Sequence, residues 1–270
     1  MLPIMDGFAK YLSSTLPVLQ ITWSRYFFTV VIALPIMLIF FRKNLTWTEQ
    51  PKLQLIRGLL LFCANVLFFY SISIISLSKA LTLAFIAPLI VTVLSPVLLG
   101  EKVGVRRWVA VIIGFIGSLI VIRPGFVEIN LASIAALGTG VLYGFYLIVT
   151  RKLHNSDNPL LTLLLTGVVG LVIGSIIMPS IWVQPTINEW YMMFAIGFFA
   201  SIGHLFLILS LKYADASKLA PFGYFEIVTN IIIGYFFFSH FPDYWHFLGL
   251  FIIISSGIYI FRREVQNKFN

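Results

Sequence analysis

The chain alternates long apolar runs with short polar breaks. Runs fall near 18–41, 53–75, 79–99, 107–122, 130–150, 159–178, 188–211, 216–239 and 243–261, and a shorter one covers Met1 to Leu12. Each of the longer runs is close to the roughly 20 residues that carry an α-helix across hydrocarbon. The strands of a membrane barrel would be about 10 residues long and alternate in polarity. These runs do neither, so the pattern predicts spanning helices, with the first run too short to span as it stands.

The polar breaks orient the helices. Arg42, Lys43, Lys52 and Arg57 flank the connection after the second helix, and Lys102, Arg106 and Arg107 follow the fourth. Arg151 and Lys152 follow the sixth, Lys212 the eighth, and Arg262, Arg263 and Lys268 close the chain. The opposite breaks are poor in basic residues, with Arg123 the main exception. Basic residues mark the cytoplasmic side, so both termini are expected there and the helix count is even. Counting the short first run as a helix gives ten and keeps that parity.

Composition agrees with this reading. Hydrophobic residues make up 60% of the chain and charged ones 10%, against about 25% charged in soluble domains. Such a chain cannot cover a water-facing surface, so lipid is its expected solvent. The net charge of +8 sits in the breaks rather than along a polar stripe, which excludes nucleic acid as a partner. Cys63 is the sole cysteine, which excludes an internal disulfide and a multi-cysteine metal site. Met1-Leu2-Pro3-Ile4-Met5-Asp6 has no basic leader pattern, so the first helices are expected to serve as uncleaved signals. No Gly-x-x-x-x-Gly-Lys loop, His-Glu-x-x-His or Gly-x-Ser-x-Gly is present. ATP-driven, zinc-hydrolase and serine-hydrolase chemistry therefore have no sequence basis, and neither a cofactor nor a metal is expected.

A shift of 139 residues aligns Ser71 with Ser210, Ser78 with Ser217, Lys79 with Lys218 and Arg123 with Arg262. The chain thus reads as an all-α integral membrane protein of ten helices in two five-helix repeats, 1–123 and 130–262, with a cytoplasmic tail at 263–270. An odd number of helices per repeat inverts the second half, as in many secondary transporters. Aligning Pro17 with Pro159 leaves the first helix short of its partner by roughly 12 residues of the span length. The expectation is that Met1 is an internal methionine. Gly140–Gly144 and Gly170–Gly174 are GxxxG pairs that let helices approach closely. Pro88, Pro96 and Pro221 are intramembrane prolines, read as kinks or as cavity-widening bends.

Ionisable residues within such helices usually face the bundle interior. Glu226 lies roughly 15 Å into the ninth helix, close to the midplane. Asn230 is one turn on and Tyr224 beside it; Glu226 is read as a counter-ion for a cationic solute, a proton carrier or half of an ion pair. Arg25 lies about 10 Å from the outer end of the second helix. It is placed to snorkel outward or to pair with Asp6, which Lys10, one turn away, is also placed to neutralise. His204, one turn from Ser201, is a candidate for a polar cavity or a packing residue. Tyr146, with Tyr70, Tyr143 and Tyr224, is a candidate for stacking on a planar ligand. His240, Asp243 and His246 read as an interfacial turn.

Ala87-Pro88, Leu99-Gly100-Glu101-Lys102 and Gly114-Phe115-Ile116-Gly117 resemble the EamA-type repeat of the drug/metabolite transporter superfamily. The resemblance covers essentially the whole chain, once per half, and implies ten helices in two inverted repeats around a central cavity. Asp6 to Leu12, Trp23 to Phe28, Asp215 to Pro221, Tyr224 to Glu226 and Phe241 to Asp243 are similar to the S-adenosylmethionine uptake members, which implies roles for Arg25, Tyr224 and Glu226. Ser239-His240 stands where the first half has Gly100-Glu101, a departure from the repeat motif. The resemblance implies a secondary transporter of the bacterial inner membrane, working by alternating access. Its expected cargo is a small organic metabolite, cationic or zwitterionic in the manner of S-adenosylmethionine. The expected site residues are Glu226, Arg25, Tyr224, Asn230, Asp6, His204 and Tyr146, with the lipid bilayer as surroundings, protons as candidate coupling ion, and a monomer or homodimer as assembly. A membrane scaffold or sensor is the alternative, and an intramembrane enzyme a distant third.

Overall fold

The computed structural model describes residues 1–42, 48–99, 105–122, 130–153, 156–213 and 216–266, apart from the side chains at 95, 106–107, 110–111, 118, 122, 216–225, 257, 260–261 and 263–266. Among these residues the regular structure is helical: α1 (Leu2–Leu12), α2 (Val18–Phe40), α3 (Pro51–Ile74), α4 (Leu77–Ala84), α5 (Ala87–Leu98), α6 (Val105–Ile122), α7 (Leu131–Lys152), α8 (Pro159–Ile181), α9 (Ile187–Tyr213), α10 (Ala216–Phe238) and α11 (Tyr244–Gln266). Among the described residues six spans are long and apolar enough to cross a membrane: Val18–Phe40, Pro51–Ile74, Leu77–Leu94, Leu131–Lys152, Pro159–Ile181 and Ile187–Tyr213. Shorter apolar stretches lie at Ile112–Val121, Glu226–Phe238 and Tyr244–Ser256.

Polarity runs inside out relative to a soluble protein. Ile39, Phe40, Ile176, Phe236 and Phe237 are more than two-thirds exposed, while Gln20, Arg25, Gln54, Arg57, Asn65 and Asn230 are buried. An apolar exterior of that extent suits hydrocarbon and not water. The protein is a multi-pass membrane protein whose polar groups converge on its interior.

Local chemistry sets the helix ends. Pro51 and Pro159 occupy first-turn positions, where a missing N–H costs nothing. Asn130 and Asn158 cap α7 and α8 through side-chain oxygens that accept from Ser133 N (2.8 Å) and Leu160 N (2.9 Å). The run at 79–99, read as one helix in the sequence, is two segments broken at Phe85–Ile86. Pro88 has no N–H to offer the carbonyl four residues back, that of Ala84, and the helix yields there. Gly140 packs against the break: a methyl at position 140 would lie 2.6 Å from Ala84 O and from Ile86 Cγ1. Gly144 sits one turn on against Ile90. The second glycine pair works differently, with Gly170 and Gly174 of α8 receiving the Tyr26 and Trp23 side chains of α2.

Helix neighbours recur in pairs. Contact of α3 with α7 has a counterpart in α1 with α9, and α3 with α8 in α2 with α9. Contact of α5 with α7 has a counterpart in α1 with α10, while α2–α8 and α6–α11 stand as single broad contacts.

Lys10 does not turn to Asp6. Its Nζ donates to Ile72 O (2.7 Å) and Ile75 O (3.0 Å), so it caps the negative C-terminal end of α3. Lys10→Met is expected to lower stability by about 1 kcal/mol, read as a drop in melting temperature in detergent. An unchanged melt would mean that water serves those carbonyls equally well.

Candidate functional site

Three groups of polar side chains meet inside the bundle. The first is centred on α2. Arg25 is 2% exposed; its Nη1 donates to Tyr26 Oη (3.0 Å) and its Nε has no hydrogen-bond partner among the described residues. The guanidinium also lies 4.9 Å from the Tyr26 ring centroid. Tyr26 Oη accepts a second bond from Asn65 Nδ2 on α3 (2.7 Å). Arg25, Tyr26, Thr29, Thr166, Gly167 and His204 line a cavity with room for about one water molecule. Thr29 Oγ1 accepts from Ser201 Oγ of α9 (3.1 Å).

The second group is centred on Arg57, six residues into α3 and fully buried. Its Nε donates to Thr150 Oγ1 (2.8 Å), its Nη1 to Thr162 O (3.1 Å) and to Thr166 Oγ1, and its Nη2 to Tyr146 Oη (2.7 Å). Both threonine hydroxyls give their own protons to carbonyls of their helices, Thr150 to Tyr146 O and Thr166 to Thr162 O. They therefore present lone pairs to the guanidinium. Tyr146 Oη also meets His204 Nδ1 (3.3 Å), the donor being set by the imidazole tautomer, and its ring stacks on Tyr143 (5.3 Å). Toward the loop that carries Asp157 the track continues through Gln54, whose Nε2 donates to Asp157 Oδ2 (2.7 Å) and to Thr162 Oγ1 (3.2 Å).

The third group is acidic. Asp6 on α1 is 2% exposed; its Oδ2 accepts a long bond from Asn230 Nδ2 of α10 (3.4 Å). Asp6 Oδ1 and Asn230 Oδ1 have no partner among the described residues, so two buried acceptors find no donor there. Glu226 and Arg25 both act electrostatically on Asp6, and Glu226, Arg25 and Arg57 all act on Tyr143. The interior charges thus share one region.

Of the residues singled out in the sequence, Arg25 and His204 line the cavity and Tyr146 stands behind it through His204; Asp6 bonds to Asn230 and lies within electrostatic reach of Glu226 and Arg25. The Tyr224 side chain lies outside the described residues. Arg25 and Asp6 do not bond to each other: Arg25 turns to Tyr26 and Asp6 to Asn230. Arg57, grouped in the sequence with the loop cations, is a core residue; its place inside the run at 53–75 was the available signal. Asn65, Tyr26 and Thr166 were not singled out, since lone polar residues in apolar runs carry no motif. Asp243 caps α11 through His246 N (2.8 Å), and His246 Nε2 meets Thr82 Oγ1 (3.0 Å).

Comparison with known proteins adds a decisive observation. The EamA-like transporter family matches residues 4–123 and again 130–262. The chain belongs to that family. The S-adenosylmethionine uptake transporter of Rickettsia bellii is 30% identical over 262 residues, covering 96% of this chain and 89% of that one. The riboflavin transporter of Vibrio cholerae is 26% identical over 273 residues, covering 98% and 90%. A protein of known crystal structure shares the fold of this EamA-like chain with a TM-score of 0.67 and 17% identity, covering 94% of this chain and 92% of that chain. The family and these named relatives are transporters rather than enzymes. This EamA-like protein is accordingly a membrane transporter of small molecules.

Proposed function

We propose that the protein is a secondary transporter of the bacterial inner membrane. It moves a small zwitterionic or cationic metabolite, in the manner of S-adenosylmethionine, by alternating access between two inverted five-helix halves with both termini in the cytoplasm. Arg25 takes a carboxylate of the cargo. Asp6 and Glu226 face its positive charge, and Glu226 is the candidate carrier of a coupling proton.

One observation carries the reading: Arg25 Nε, Asp6 Oδ1 and Asn230 Oδ1 are buried without partners among the described residues. A group left so is costly unless a ligand completes it at some stage of a cycle. Both halves contribute, α1 and α2 from the first and α10 from the second. The recurrence of helix contacts between the halves supports two related units, and the cavity, too small for a metabolite, supports a cycle in which helices part to admit one. Relatives named for S-adenosylmethionine and for riboflavin support an organic cargo.

The test is uptake by reconstituted protein over a panel of labelled metabolites including S-adenosylmethionine, wild type against Glu226→Gln. A saturable flux, at least tenfold lower in the variant by the loss of a charge-assisted contact, is the expected outcome. Flux unchanged in Glu226→Gln would remove that residue from the mechanism. Absence of any flux by folded protein would sink the choice of cargo.

A further inference from the structure

Arg57 poses a question that the transport reading does not answer. It is a fully buried cation, yet each of its partners among the described residues is neutral: two threonine hydroxyls, a carbonyl and a phenol. Burying an ion without an opposite charge carries a heavy desolvation penalty. Arg25 likewise has a phenol as its hydrogen-bond partner, and its Nε has none among the described residues, although Asp6 lies within its electrostatic reach. The cavity lies between them: Arg25 is on its wall, and so are Thr166 and His204. Thr166 bonds Arg57 directly, and His204 reaches it through Tyr146. Arg57 therefore stands one side chain behind the wall, on the side that leads through Thr162 and Gln54 to the loop that carries Asp157.

We propose that Arg57 is a second carboxylate-docking group, to which the carboxylate of the cargo passes from Arg25 as it moves toward the cytoplasm. The inference rests on the transport reading and narrows the cargo to solutes that carry a carboxylate. A carboxylate makes stronger, charge-assisted bonds to a guanidinium than hydroxyls do, and takes two at once. In the closed state the neutral acceptors hold the fork of Arg57 and tie α3 to α7 and α8. When those helices part, the fork is released facing the cavity. Arg57 then latches the cytoplasmic side when empty and receives the anion when open.

The experiment is competition for binding of labelled S-adenosylmethionine to detergent-purified protein, by the unlabelled compound and by its decarboxylated form. The wild type is expected to prefer the carboxylate-bearing form by about tenfold, and Arg57→Gln to reduce that ratio several-fold. An arginine with a structural role alone would change the amount of competent protein and leave the ratio alone. Thr150→Val, isosteric and off the cavity wall, frees Arg57 Nε and is expected to raise the ratio, which keeps the test decisive if Arg57→Gln does not fold. Equal competition in the wild type, or a ratio that neither variant moves, overturns the proposal. If S-adenosylmethionine does not bind at all, the cargo alone has failed. The arginine site is then read from melting in sodium acetate against sodium chloride at equal ionic strength. Stabilisation by acetate that Thr150→Val strengthens upholds it, and equal melting overturns it.

Discussion

Adding one methyl group at position 140 is expected to lower the stability of the protein by about 1–3 kcal/mol, the usual cost of overpacking. Adding one at position 138 is expected to leave stability nearly unchanged. The two glycines share a helix, so helix propensity favours alanine at both by about 1 kcal/mol. They differ in what they meet. A methyl at 138 touches Leu67 Cδ1 at 3.0 Å, the tip of a side chain that can turn away. A methyl at 140 meets Ala84 O at 2.6 Å, a backbone oxygen fixed by the α4–α5 break. Relief there requires α4 to move, and α4 packs against α7, α10 and α3. Gly140→Leu is expected not to accumulate as folded protein. The measurement is thermal unfolding in detergent, followed by tryptophan fluorescence. Equal melting of Gly138→Ala and Gly140→Ala would show that the break gives way more easily than its geometry indicates.

Arg25→Met is expected to raise stability and abolish uptake together. The side chains are similar in length, and Tyr26 Oη keeps its bond from Asn65 when the guanidinium goes. Among the described residues no buried acceptor is orphaned, while a buried cation whose Nε finds no partner there is removed. Replacing buried charge with packed apolar atoms commonly gains about 1–4 kcal/mol. The same change removes the one charged group that the described residues contribute to the cavity wall, so saturable uptake of whichever metabolite the wild type carries should fall to background. A site residue that lowers the stability of its own fold is the pattern of a stability–function trade-off. Melting temperature and uptake measured on one preparation decide the matter. A variant that melts lower than the wild type would show Arg25 to be structural.

Much of this architecture was legible in the chain because lipid imposes simple rules on it. Runs such as 159–178 and 188–211 became α8 and α9 because an apolar segment in hydrocarbon must satisfy its backbone internally. The break after Ala84 was half legible: Pro88 was noted, but periodicity cannot tell a kinked helix from two segments. Arg57 was misplaced because charge near the end of a run looks like a loop cation until its partners are known. Those partners, Thr150, Thr162 and Thr166, lie about a hundred residues away along the chain, and threonine in a membrane helix is unremarkable in sequence. Arg25 and Asp6 looked like a pair by depth alone. Depth says nothing of azimuth, and Tyr26 and Asn230 are the neighbours that azimuth supplies.

The seat of Tyr26 on Gly170 constrains how this protein can change over generations. The ring fills the space that any larger residue at 170 would need, and its hydroxyl binds both Asn65 and Arg25. A mutation at 170 is therefore acceptable only with a smaller residue at 26, and that residue would strip the cavity wall of its phenol. Across descendants of this sequence, positions 26 and 170 should change as a pair or stand still. When they change, a new cargo preference should accompany the exchange. A glycine with no polar atom in its side chain thus becomes a historical record of what the transporter carries.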